Sequence, residues 1–183
     1  MSTPAMSLKY LAFVLMTLAG LLGGIFAAGY AFSDLDTPQA IGTTAPWVVL
    51  AIVLSVFAYR SRTIAPWVLA ALTAFTFVRT PIESALGQVE REGPFAAIWL
   101  LVLGVALGFL GLHHPRLAGG LLAALAASQL VALLARPDRS DAGLGALLGT
   151  SSGVVVLPVL VVAVLFLVAG AMDRADGPVT RGA

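Results

Sequence analysis

The chain has 183 residues, 60% of them hydrophobic and only 10% charged, with no cysteine, and its mean hydropathy is +1.01. A water-soluble domain carries roughly a quarter charged residues, so most of this chain's solvent is lipid. Ten Lys and Arg against nine Asp and Glu leave no basic excess for a nucleic-acid partner, and without thiols there is no disulfide, thiolate metal site, cysteine nucleophile or lipidated cysteine.

A membrane-spanning helix needs about 20 mostly apolar residues, and the uncharged runs are taken as spans in chain order. The first is 10–32, longer than the roughly 7–15 apolar residues of a signal peptide, so it is expected to stay as a helix. Gly20, Gly24 and Ala28 form a small-xxx-small ridge along it. A polar segment with Asp34 and Asp36 follows.

Spans two (42–59) and three (64–79) are short for a hydrocarbon core about 30 Å thick. A re-entrant hairpin would explain this, but its tip, Tyr59-Arg60-Ser61-Arg62, would put two arginines near the bilayer centre at a cost of at least about 5 kcal/mol. The tip therefore belongs in water. Residues Ala40 to Thr44 can extend span two backwards, and Arg79 can snorkel to the interface at the end of span three.

Both segments open on Ala-Pro-Trp-Val, at Ala45 and again at Ala65. Proline at the first helical position gives up an N–H that has no partner there, and tryptophan favours the membrane interface. Two helix entries on opposite faces of the membrane account for the match. A solenoid would need at least about three repeats.

Thr80 as N-cap, Pro81 at the first helical position and Glu83 three residues after the cap make a capping-box pattern. It predicts a short interfacial helix over 81–90, with Ile82, Leu86 and Val89 on one face. That segment is either a solvated connector or a docking surface for a partner.

Span four covers 95–112 and carries a GxxxG ridge at Gly104 and Gly108. His113 and His114 follow at its end. Adjacent helical side chains point about 100° apart and do not share one metal, and no further histidine exists to complete a bis-histidine haem. No metal or cofactor is expected. Span five, 117–135, holds Gly119, Ala123 and Ala127 as a further small-residue ridge, and the polar pair Ser128 and Gln129. Span six, 153–172, contains Pro158, which deprives the Val154 carbonyl of its helical partner.

The predicted architecture is thus all-α: a single-domain, polytopic membrane bundle of six spans. Counted by loops, Lys9, Arg60, Arg62, Arg116, Arg174 and Arg181 fall on one side and Arg79, Arg91, Arg136 and Arg139 on the other. The positive-inside rule then places both termini in the cytoplasm, the chain crossing the plasma membrane. Nine arginines to one lysine suit a GC-rich bacterial genome.

No catalytic residue is identified, for the chain has no GxSxG, HExxH, P-loop or dinucleotide motif. No ionisable side chain lies deep in a span, which removes the usual mark of a proton relay. The expected function is a non-catalytic accessory or scaffolding component of a membrane assembly, its partners being lipid and other membrane subunits, with the small-residue ridges closing the bundle itself. A second possibility is a carrier or binding subunit for a small neutral or apolar molecule, using Gln129, Ser128 and the Pro158 kink. Prolines fall at helix entries in the first half and within the last span in the second, so the two halves lack the matching breaks of an inverted-repeat carrier. A third is a lipid-active enzyme at the outer interface, where Arg79, Glu83, Asp34 and Asp36 gather.

Overall fold

The computed structural model describes residues 3–34, 36–86, 95–134 and 151–175. These form six helices and no strand: α1 (Thr3–Asp34), α2 (Thr37–Arg60), α3 (Ala65–Ala85), α4 (Phe95–Gly111), α5 (Pro115–Leu134) and α6 (Ser151–Ala175). All but α4 contain a segment long and apolar enough to cross a membrane. At 1.5 Å per residue the 17 residues of α4 reach about 25 Å.

Side-chain contacts fix the direction of each helix. Gly20 and Gly23 of α1 face Val105 and Leu101 of α4 in reverse order, and the Phe13 and Phe109 rings meet edge to face at 4.8 Å, so α1 and α4 are antiparallel. Trp47 meets Trp99 and Tyr59 meets His113, so α2 runs with α4. The Arg62 carbonyl lies against His114 and Ser84 against Ala132, so α3 runs with α5. Each helix therefore reverses its predecessor.

Helix α4 is the hub, touching all five others. Leu103, Ala106, Leu107 and Leu110 of α4 are fully buried, and around them gather Met16 of α1, Leu69 of α3, Leu122 and Leu125 of α5, and Val159, Val162 and Phe166 of α6. The widest interface joins α5 to α6, after which come α1 with α6, α3 with α5, and α2 and α1 with α4. By contrast α1, α2 and α3 touch one another little. The second half makes the core and the first half is laid around it, so the two halves are not structural equivalents.

Two predicted boundaries are corrected. Helix α2 begins at Thr37, with Pro38 in its first turn, and Pro46 lies inside it. Of the two Ala-Pro-Trp-Val copies, only the second, with Pro66 in the first turn of α3, is a helix entry. Thr43 and Thr44 donate their hydroxyls to the Gln39 and Ala40 carbonyls at 2.8 Å, which lets this polar stretch join the helix with its own groups satisfied.

The second correction concerns 81–90. No new helix starts at Pro81: α3 continues through Thr80 and Pro81 to Ala85. The last turn is held by the Arg79–Glu83 ion pair and by Ser84, which donates to the Ala132 carbonyl of α5 at 2.5 Å. Residues 87–90, Val89 among them, lie outside the described residues.

Candidate functional site

Glycines set how closely the helices approach. A Cβ on Gly119 of α5 would lie 2.9 Å from the Ala163 carbonyl oxygen and the Leu167 nitrogen of α6, so here backbone meets backbone. On α4, Gly104 and Gly108 make a trough for Met16: a Cβ would lie 2.5 Å from the Met16 Cε at Gly104 and 3.3 Å from its Cβ at Gly108. In return Val105 and Leu101 occupy the space over Gly20 and Gly23. Gly23 thus takes the place that the i, i+4 ridge gives to Gly24. Gly24 has nothing within 4 Å, and Ala28 is half-exposed.

Around and beyond Gly23 several described side chains of α1 lie open. Leu21, Leu22, Ile25 and Phe26 are all exposed, Phe26 to 72%, although they point to different sides of the helix. On α3, Ile82 and Leu86 are exposed and one turn apart, forming a short apolar strip beside the Arg79–Glu83 pair. Asp34 and Asp36 stand at the α1–α2 junction, at the same end of the bundle.

The polar residues of the core are mostly occupied. Ser128 is fully buried and donates to the Leu125 carbonyl of its own helix at 2.7 Å. Gln129 is half-buried, and its amide meets no hydrogen-bond partner among the described residues. The antiparallel packing that sets Gly119 against Ala163 and Leu167 leaves Gln129 and Pro158 about one turn apart in height. Pro158 is half-buried in α6. Ser128 and Gln129 lie side by side in the chain but face different surroundings, so the three do not make one polar site.

A different polar group forms between α3, α4 and α2. The Thr76 hydroxyl donates to Leu72 O at 2.8 Å and accepts the Trp99 indole N–H at 3.0 Å, while Trp47 stands edge-on to Trp99 at 6.5 Å between centroids. One turn away the buried Thr73 hydroxyl makes no hydrogen bond, contrary to the backbone bond that a helical threonine ordinarily finds.

Among the described residues, most ionisable groups collect at the ends. The end where α1, α3 and α5 begin carries Lys9, Arg60, Arg62, His113, His114, Arg116 and Arg174, with Asp173 as the one described carboxylate. The opposite end carries Asp34, Asp36, Arg79 and Glu83. Among the described residues no group of three or more His, Asp and Glu converges as metal ligands. His113 sits just past α4, edge-on to Tyr59 at 5.5 Å. Burial first, then the charges of Arg62, His114 and Lys9, hold its imidazole below the usual histidine range. The gathering of Lys9 with the α4–α5 turn has no motif in the sequence; only the α1–α4 register brings them together. No protein-family model, curated protein or solved structure matches the chain.

Proposed function

We propose that the chain is a non-catalytic accessory or scaffolding subunit of a membrane assembly, with all six helices crossing the plasma membrane and both termini in the cytoplasm. The observation that carries this is the open stretch of α1 around Gly24. A helix driven only by its fit to this bundle would stay in register with α4, as it does up to Gly23. Instead Ile25, Phe26 and Phe32, beyond Gly23, are exposed, with open space at Gly24 and Gly29. Helices associate in lipid through close backbone approach at small residues, and Gly24 with Ala28 offers that approach to a helix from another subunit. The unequal halves speak against an alternating-access carrier, whose repeats rock against each other as matching units.

The shortness of α4 is compatible with a full crossing. It packs against all five other helices, so much of its surface meets protein rather than lipid and a mismatch with the bilayer costs little. Five of the described cations at the α1-starting end against Arg79 alone at the other support a cytoplasmic placement of that end.

Two measurements test the proposal. Native mass spectrometry of the chain released gently from its own membrane is expected to show added mass equal to other polypeptides. Gly24→Leu should remove that mass and leave the fold intact, because its new side chain enters open space. Release of a lone chain, or partners retained in full by Gly24→Leu, would sink the assembly role. For the orientation, the absence of native cysteine makes single-cysteine variants clean reporters. Ser33→Cys should react with an impermeant maleimide in intact cells, and Thr63→Cys only after the cytoplasmic face is opened. The opposite pattern would invert the topology.

A further inference from the structure

We propose that the end of the bundle where α1 begins is a proton-sensitive joint, in which uptake of a proton by His113 loosens the packing of α1 and α2 against α4. Such a joint is independent of the assembly role and of which way the bundle faces. Three helices meet in it. Phe13 and Phe109 touch across the antiparallel α1–α4 interface; Lys9 lies one turn before Phe13 and His113 one turn after Phe109, so the two share a level. Tyr59, in the last turn of α2, stands edge-on to the His113 ring at 5.5 Å between centroids. The α2–α3 turn rests on the next residue, with the Arg62 carbonyl 3.3 Å from His114 Nε2. Ala5, Lys9 and Ala12 are buried, so α1 is a packed element from its start.

The His113 Nδ1 is shut away from solvent and makes no well-formed hydrogen bond. A neutral imidazole can keep its one proton on Nε2 and leave Nδ1 bare, whereas an imidazolium carries an N–H on both nitrogens. A buried donor left without an acceptor is costly. The Phe109 carbonyl, one turn back, favours the proton but is outweighed: burial first, then the charges of Arg62, His114 and Lys9, hold the ring below the usual histidine range.

The remaining groups at this end leave that balance in place. Lys9 has an interaction of its own and is the weakest of the three charges acting on the ring. On α6, Asp173, with one carboxylate oxygen buried, follows one turn after Gly170, which faces Arg116 of α5. Neither Asp173 nor Arg116, Arg174 or Arg60 is among the groups that move His113, and α3 holds its charged residues at the opposite end. An imidazolium is therefore best accommodated by turning the ring out to water, which breaks its contact with Tyr59 and opens the level it shares with Lys9. Because the folded ring takes its proton less readily than an unfolded chain does, the joint is at full strength above the ordinary histidine value of about 6.5 and weakens as the pH falls below it.

The absence of native cysteine allows spin labels at Met6→Cys and Thr63→Cys, both exposed positions, in the full-length chain in phosphatidylcholine nanodiscs. As the pH is lowered from about 7.5 to about 5, across the histidine range, the distance between the labels is expected to lengthen and spread. Its midpoint should coincide with the titration of His113 followed by NMR of histidine-labelled protein, whose two imidazoles are the chain's only ones. His113→Gln, which stays neutral, should hold the narrow distance throughout, and His114→Gln should still respond. A distance that stays fixed while His113 titrates would overturn the joint, as would a change that persists in His113→Gln or has its midpoint away from that of His113. The coincidence of midpoints is read in a chain that keeps His113, so it decides the matter even where His113→Gln does not fold.

Discussion

Gly119→Leu is expected to be the most damaging single substitution in this chain, and Gly119→Ala to share much of its effect. The atoms facing a new Cβ are the Ala163 carbonyl oxygen and the Leu167 nitrogen at 2.9 Å, with Leu167 Cγ equally near. Backbone atoms of a helix cannot turn aside as a side chain can, so α5 and α6 would have to separate along the widest interface in the bundle. Overpacking a core ordinarily costs about 1–3 kcal/mol, and here the cost should reach or exceed the upper end. Nothing offsets it, because apolar surface parted in a bilayer meets lipid and gains or loses little hydrophobic free energy while close packing is lost. Thermal unfolding in mild detergent should place Gly119→Leu far below the parent and Gly24→Leu, with its open surroundings, beside it. A Gly119→Ala protein that melts with the parent would show that the α5–α6 contact does not depend on close approach. Gly104 should be more forgiving than Gly119, because its facing atom is the end of the flexible Met16 side chain.

Phe166→Ala is expected to come second. Phe166 is the largest fully buried side chain among the described residues, and its ring fills the space that a Cβ on Gly111 would occupy. In water-soluble cores such a truncation costs about 3–5 kcal/mol, part from transfer of apolar atoms to water and part from the cavity. In a membrane the transfer part shrinks, leaving chiefly the cavity and lost dispersion, so a loss of about 2–4 kcal/mol is expected. Restoring volume from the opposite side, with Gly111→Leu added to Phe166→Ala, should recover part of the loss, although Gly111→Leu alone should destabilise. Equilibrium unfolding of the two single variants and the double variant checks this. Additive losses would show that the two positions do not share one space.

Helix existence could be read from the sequence because lipid imposes a length on apolar runs, and six helices stand about where the six runs lie, five of them long and apolar enough to cross a membrane. Boundaries were less legible. Proline at Pro46 and Pro81 was expected to begin helices, yet both are interior, because threonine hydroxyls, an i, i+4 ion pair and the Ser84–Ala132 contact carry the helix across them. The local code of a proline was outweighed by partners that only the packed chain supplies. The same holds for small residues. Gly20, Gly104 and Gly108 stand at the α1–α4 contact, but whether Gly23 or Gly24 faces α4 depends on a rotation of α1 that no spacing rule specifies. For the candidate site the gap was wider. Gln129 drew notice as a polar residue in an apolar run, whereas the unsatisfied hydroxyl of Thr73 and the meeting of Lys9 with His113 follow from helix register and direction, which a single sequence does not carry.

The dependence of α1, α2 and α3 on the later helices has a consequence for synthesis. A chain made from its N-terminus delivers these three first, when the surfaces that α4, α5 and α6 offer them do not yet exist. With so little contact among themselves, they would wait in the bilayer as separate spans, each held by its own hydrophobic length. The arrival of α4, which touches all the others, is then the event that gathers them, and α6, joining both α1 and α5, closes the structure last. Until that point the open flank of α1 is accessible to any neighbouring helix.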